Sequence, residues 1–425
     1  MAGISLRTLP PNLSVWLIAT ERCGIENALS VSIHDDAYTM ASGSKIGDIQ
    51  YLLLHVLWCP HMMTSEDSRS NSHHFVSNEK KSAAQLALEQ IESFGTFTEW
   101  VKNNQGKSLA THEAMALGAF ALVLQSHRYI TGSANIETDD KVTFSPPFTR
   151  SQASRAQIDQ SVRPQTPVTP TPSRPHQEDY SEPMNLDLDI ETGSSPLSEL
   201  GSTPILESSS ILESSPIPES SPVYEANSPQ TRETARLQDD EEPEMEVITS
   251  TILLIRAVTV FVKGVELMDC KTKQKKFTVL RRDGTTPLFT ACTDGTLTKK
   301  GSGKTLVLIE TKKKVRHTHP QAVDIRAQEA CQMAAWIAQE PPENLEEMRK
   351  DGLSDKRFLI SQDKNELWLS KGTYDAAYVD YISGRSINQS FLKMESIGPY
   401  YIEDYRDIKE ICQIILALTY QELDN

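Results

Sequence analysis

The chain has 425 residues, room for two or three domains, with 38% hydrophobic residues, 42 basic and 58 acidic side chains and a formal net charge of -16. The low apolar content excludes order along the whole length, and a uniformly acidic chain would be a poor nucleic-acid binder, so the placement of the charges carries the information. The first residues, MAGISLRTLPPNLSVWLIATERC, hold no secretory-type apolar core behind a basic flank, and the six cysteines have no disulfide or metal spacing; the expectation is an intracellular protein, nuclear or cytoplasmic, with reduced thiols.

Residues 1–140 show helical apolar periodicity at 46–58, 84–94 and 111–129, which predicts a mainly helical N-terminal region that suggests no chemistry of its own. Residues 141–241 are rich in Pro, Ser, Thr and Glu and contain a recurring hexad, ILESSS, ILESSP, IPESSP. Such a segment buries too little apolar surface to offset its ordering entropy, so a disordered linker is predicted. Its Ser-Pro and Thr-Pro steps are potential phosphorylation sites, through which the linker would meet protein partners.

The apolar window 247–262 is short for a bilayer span and carries Arg256, so a buried element and no membrane association are expected. Residues 247–265 are predicted as a helix. Strands follow at 276–281 and 287–293, joined by a turn at 282–284; a turn at 294–295 leads on to a strand at 305–311. A helix is predicted over 321–339, strands over 356–361 and 366–370, and helices over 374–382 and 404–423. This order predicts a mixed α/β domain spanning 242–425.

The stretch Gly301-Ser302-Gly303-Lys304-Thr305-Leu306-Val307-Leu308-Ile309-Glu310-Thr311-Lys312 supports two rival readings. Its front half ends like a phosphate-binding loop, but the position for the first glycine holds Thr298, and Thr305 enters a strand-like run where that loop needs a helix N-terminus. A flexible hairpin tip is the better reading. The back half places Glu310 and Lys312 on one face of a strand, since residues two apart point the same way. Asp294 closes the preceding strand, and a hairpin of this length can return the chain so that it meets Glu310. Two carboxylates and a carbonyl oxygen make a site suited to magnesium, and a lysine beside it can orient water or stabilise charge on a phosphate.

This constellation resembles the PD-(D/E)XK nucleases, and the wider run, with RAQEACQMAAWI and RFLISQDKNELWLS, resembles the nuclease-like domain of many fungal proteins. The resemblance covers roughly 242–425. It implies a restriction-endonuclease-like fold, an α/β mixed sheet flanked by helices, and hydrolysis of phosphodiesters in DNA. Asp294 and Glu310 would hold Mg2+, or Mn2+ in its place, Lys312 would assist the water, and a glutamine on the next helix, Gln328 or Gln332, would position substrate or Lys312. The departure is Thr293 where the family name has proline. The first helix of such folds often supplies another acid; Glu242, Glu244, Glu246 and Glu266 are available, and Glu246 is preferred. The alternative is the same fold without catalysis, a module binding nucleic acid or protein.

Basic residues cluster around this site, which is the footprint expected for a phosphate backbone. Lys271, Lys273, Lys275, Lys276, Arg281 and Arg282 precede it, Lys299, Lys300 and Lys304 lie in the hairpin, and Lys313, Lys314 and Arg316 follow it. Of these, Lys299, Lys300, Lys313, Lys314 and Arg316 are the expected nucleic-acid contacts. His317 with His319, and Cys59 with His61, His73 and His74, lack a standard ligand spacing and are not taken as metal sites.

Overall fold

The computed structural model of the chain describes residues 6, 8–59, 65–104, 107, 109–132, 229–260, 262, 264–265, 268–316 and 322–424. Most of the expected linker, with its hexads and Ser/Thr-Pro steps, lies outside these residues.

In chain order the helices are α1 (Leu13–Arg22), α2 (Asp48–Leu53), α3 (Ser65–Asn71), α4 (Asn78–Glu89), α5 (Glu92–Asn103), α6 (Thr111–Leu117), α7 (Phe120–Thr131), α8 (Pro229–Thr259), α9 (Ala322–Gln339), α10 (Leu345–Asp351), α11 (Ala376–Ile382) and α12 (Tyr405–Asp424). The strands are β1 (Val56–Trp58), β2 (Met268–Lys271), β3 (Lys275–Leu280), β4 (Pro287–Thr293), β5 (Gly295–Lys299), β6 (Thr305–Lys312), β7 (Ser354–Asp363), β8 (Glu366–Asp375) and β9 (Leu392–Tyr401). Seven strands form one mixed sheet in the order β1-β9-β8-β7-β6-β5-β2, with β1/β9 and β6/β7 parallel and the other pairs antiparallel. Strands β3 and β4 form a separate antiparallel pair.

The sheet divides two cores. Val307 and Ile309 of β6, with Phe358 and Ile360 of β7, pack on the side of α4, α5, α7, α8 and α12. Leu308 and Leu359 face the other side, toward α1, α2, α9, α11 and the β3–β4 pair. Alternation along each strand produces this division, and apolar residues on both faces give the near-continuous hydrophobic runs of a sheet covered on both sides.

Three sequence expectations change. The N-terminal region does not stand apart: its described residues and those of 229–424 belong to one compact unit. Strand β1 lies parallel to β9, and the Tyr381 and Tyr378 hydroxyls donate to the Leu53 and Leu54 carbonyls at 2.6 and 3.0 Å, satisfying the C-terminal end of α2. The helix expected over 46–58 stops at Leu53, because His55 takes φ 52° and turns the chain into β1. Finally, α8 begins at Pro229, well inside the stretch assigned to the linker; its Glu, Arg, Leu and Gln residues are good helix formers even though their polarity resembles disorder.

Candidate functional site

Strand β6 owes its position to a run of Leu, Val and Ile behind a glycine-bearing turn. Gly301 and Gly303 take φ 87° and 68°, a left-handed conformation that glycine adopts without strain. The tip of this hairpin feeds Thr305 directly into β6, and Lys304 pairs with Glu343 at 3.0 Å. No helix N-terminus follows, so the phosphate-loop reading fails on topology.

Gly295 pairs with Ile309 and Thr296 with Leu308, a register that brings Asp294, just before β5, to the end of β6 beside Glu310. The Asp294 amide donates to the Ile309 carbonyl at 3.1 Å. Its Oδ2 accepts from the Thr311 amide at 2.9 Å and the Thr311 hydroxyl at 2.8 Å. Glu310 is 1% exposed and points to the α9 side of the sheet. Its Oε1 accepts from Lys312 Nζ at 2.5 Å and from Gln328 Nε2 at 2.7 Å, and its Oε2 from Gln332 Nε2 at 2.7 Å. Gln328 and Gln332 are one helical turn apart, and the structure uses both. Gln332 Nε2 also reaches the Cys292 carbonyl at 2.7 Å, tying α9 to β4, while its buried Oε1 has no hydrogen-bond donor among the described residues.

Burial pushes the Glu310 carboxyl up to about 8; the Asp294 charge acts in the same direction, against Lys312 and Gln332. Burial alone would lower Lys312, but the charge and hydrogen bond of Glu310, helped by Asp294 and Glu244, hold its ammonium well above the ordinary lysine value. Glu244 of α8 approaches Lys312, with Oε1 3.9 Å from Nζ. The acid preferred from the sequence, Glu246, lies two residues further along the same helix.

Among the described residues no group of three His, Cys, Asp or Glu side chains is placed to hold a metal ion. The acids at the end of β6 are Asp294, held through Oδ2 by Thr311, and Glu310, held by Lys312, Gln328 and Gln332. Two carboxylates fit magnesium, which keeps several waters and is commonly held by one or two carboxylates together with substrate phosphates.

The basic footprint is thinner than the sequence suggests. Lys275 pairs with Glu340 at 2.5 Å, Arg281 with Asp36 at 2.8 Å and Arg282 with Asp35 at 3.1 Å. Arg316, an expected nucleic-acid contact, is fully buried, its guanidinium bonded to Asp363 and Glu329, and it offers nothing to a phosphate backbone. Lys299 and Lys300 lie where β5 turns toward β6, and Lys313 and Lys314 follow β6; Lys300 and Lys314 are exposed, Lys299 and Lys313 half-buried. Among the described residues no helix is long and apolar enough to cross a membrane.

No family model, no curated protein and no solved structure matches the chain.

Proposed function

We propose that the chain is a metal-dependent nuclease of the PD-(D/E)XK type that hydrolyses phosphodiester bonds in DNA, built on a restriction-endonuclease-like sheet. The observations that support this reading are the bonds from Lys312 and Gln328 to Glu310 at the end of β6 and the register that sets Asp294 next to it in the chain's fold, close enough for its charge to act on Glu310. Asp294 and Glu310 would hold Mg2+, or Mn2+ in its place, and the ion would supply Lewis-acid charge at the scissile phosphate. Lys312, held protonated by its carboxylate neighbours, serves as an electrostatic stabiliser of the charge that develops on the phosphate oxygens rather than as a proton acceptor. Gln328 and Gln332 keep the Glu310 carboxylate aimed. Lys299, Lys300, Lys313 and Lys314 supply phosphate contacts that position the duplex without reading its sequence.

The full-length protein is the correct material for the test, because a fragment starting near 242 would lose β1 and the α4, α5 and α7 helices that cover the sheet. Full-length protein with Mg2+ should convert supercoiled DNA to the nicked form, and Lys312→Ala should abolish nicking while the variant stays folded at the assay temperature. Equal nicking by the variant would overturn the assignment.

One observation favours the non-catalytic version of the same fold. Glu310 already accepts three hydrogen bonds and is 1% exposed. In that case the protein binds DNA with a steep salt dependence, and Mg2+ changes neither binding nor the DNA.

A further inference from the structure

Beside the Glu310 cluster lies a buried ionic knot that the proposed chemistry does not use. Arg316, just beyond β6, is fully buried. Its Nε donates to Asp363 Oδ2 at 2.6 Å, Nη1 to Glu329 Oε2 at 3.1 Å, and Nη2 to Glu329 Oε1 and to Ser361 Oγ, the latter at 3.0 Å. Its backbone amide donates to Glu366 Oε2 at 3.1 Å, and its guanidinium lies 5.1 Å from the Trp368 ring. One side chain thus ties together the segment after β6, helix α9 and strands β7 and β8.

The anchors are neighbours of the site residues. Ser361 is the register partner of Glu310, and Asp363 that of Lys312. The Lys364 amide donates to the Lys312 carbonyl at 2.7 Å. Glu329 follows Gln328 directly and precedes Gln332 by less than one helical turn. A buried ion cluster is a poor device for stability, since apolar residues of similar volume serve as well or better. What a guanidinium adds is direction: a planar fork holds a carboxylate at two points, which a lysine ammonium cannot do.

We propose that Arg316 is a positioning residue: it sets the distance between α9 and β6, so that Gln328 and Gln332 meet the Glu310 carboxylate. The inference rests on the reading of the Glu310 cluster as an active site, and the test separates the two. Arg316→Lys keeps the charge and loses the fork. Two measurements on full-length protein are compared: steady-state nicking of supercoiled DNA with Mg2+, and a double-mutant cycle in urea combining Arg316→Lys with Gln328→Ala. Expected is a fall in kcat of about 10- to 100-fold, the range for residues that orient others, with KM for DNA unchanged. The cycle should be non-additive, because once α9 has shifted, Gln328→Ala has less left to remove. If the wild type nicks DNA and Arg316→Lys matches its kcat, the positioning role is overturned while the nuclease reading stands. If the wild type does not nick, the nuclease reading falls and the cycle decides alone: non-additivity supports the mechanical link, additivity overturns it. Should Arg316→Lys not fold, Asp363→Asn replaces it in both measurements; it keeps an acceptor for Nε and leaves Arg316 and Glu329 charge-balanced. The same kcat loss is expected in smaller degree, and wild-type kcat with an additive cycle overturns the proposal.

Discussion

Replacing Glu310 with glutamine should stabilise the protein at alkaline pH and not at acid pH. The side chain is 1% exposed, and burial pushes its carboxyl up to about 8 from the ordinary 4.5. The folded chain therefore keeps the Glu310 proton to higher pH than the unfolded chain, so the wild type loses stability as pH rises from about 4.5 to about 8. At ~1.36 kcal/mol per pH unit, the gap corresponds to roughly 5 kcal/mol between the neutral and ionised carboxyl in the fold. Glutamine does not titrate and keeps the shape. It removes the partner of Lys312, whose side chain is 22% exposed and 3.9 Å from Glu244, so that loss should stay below the ~3–5 kcal/mol of a fully buried pair. The assay is urea unfolding of wild type and Glu310→Gln at about pH 5 and about pH 9. The difference in unfolding free energy should move in favour of the variant by several kcal/mol across that window. Other titrating groups are shared by both proteins and largely cancel in the difference. A relative stability that is flat, or that turns against the variant as pH rises, would refute the claim that the fold holds this carboxylate at a cost.

His127 is buried with neither ring nitrogen hydrogen-bonded among the described residues, and burial lowers it to about 3 from 6.5. Its contribution is present above about pH 6.5 and is lost as pH falls toward 3, so His127→Leu should flatten the acid limb of a urea-midpoint titration; an unchanged limb refutes this. At Gly372 an added Cβ would stand 2.9 Å from Met333 Cγ, 3.1 Å from Leu392 Cδ1 and 3.2 Å from Met394 Sδ. Gly372→Ala should therefore cost about 1–3 kcal/mol in urea unfolding, as overpacking does, and a neutral result would mean that Met333 moves aside freely.

How legible each part of this fold is in the sequence depends on how far away its cause lies. Strand β6 and helix α9 were expected over 305–311 and 321–339 and are observed at Thr305–Lys312 and Ala322–Gln339. Their signals are local: a Leu/Val/Ile run after a glycine turn, and a helical spacing with an apolar face. Strand β5 escaped notice because Gly295-Thr296-Leu297-Thr298 looks like turn and loop, yet it pairs along its length with β2 and β6. Strand β9 escaped because it carries Gly398 and Pro399, residues that argue against a strand unless partners hold it. The apolar character of β1 merged with the helix before it, and nothing in its three residues announces a partner at Leu392.

The same distinction explains why the neighbourhood of Asp294, Glu310 and Lys312 is legible in the sequence while the burial of Arg316 is not. The first three follow from strand alternation and one hairpin, both short-range rules. Arg316 sits in the run Lys312-Lys313-Lys314-Val315-Arg316, where neighbouring charge suggests a solvated basic face. Its burial is decided by Glu329, thirteen residues on, and by Asp363 and Glu366 from strands that join the sheet later in the chain. Each of these carboxylates alone looks like an ordinary surface acid. Glu329 does carry a local hint, because it lies within Ala327–Ile337, where the helix is apolar nearly all round, and a carboxylate there needs a cation. Pairing that acid with the nearest arginine outside the helix would have moved Arg316 from the surface to the interior, where its guanidinium is bonded to Glu329 and Asp363.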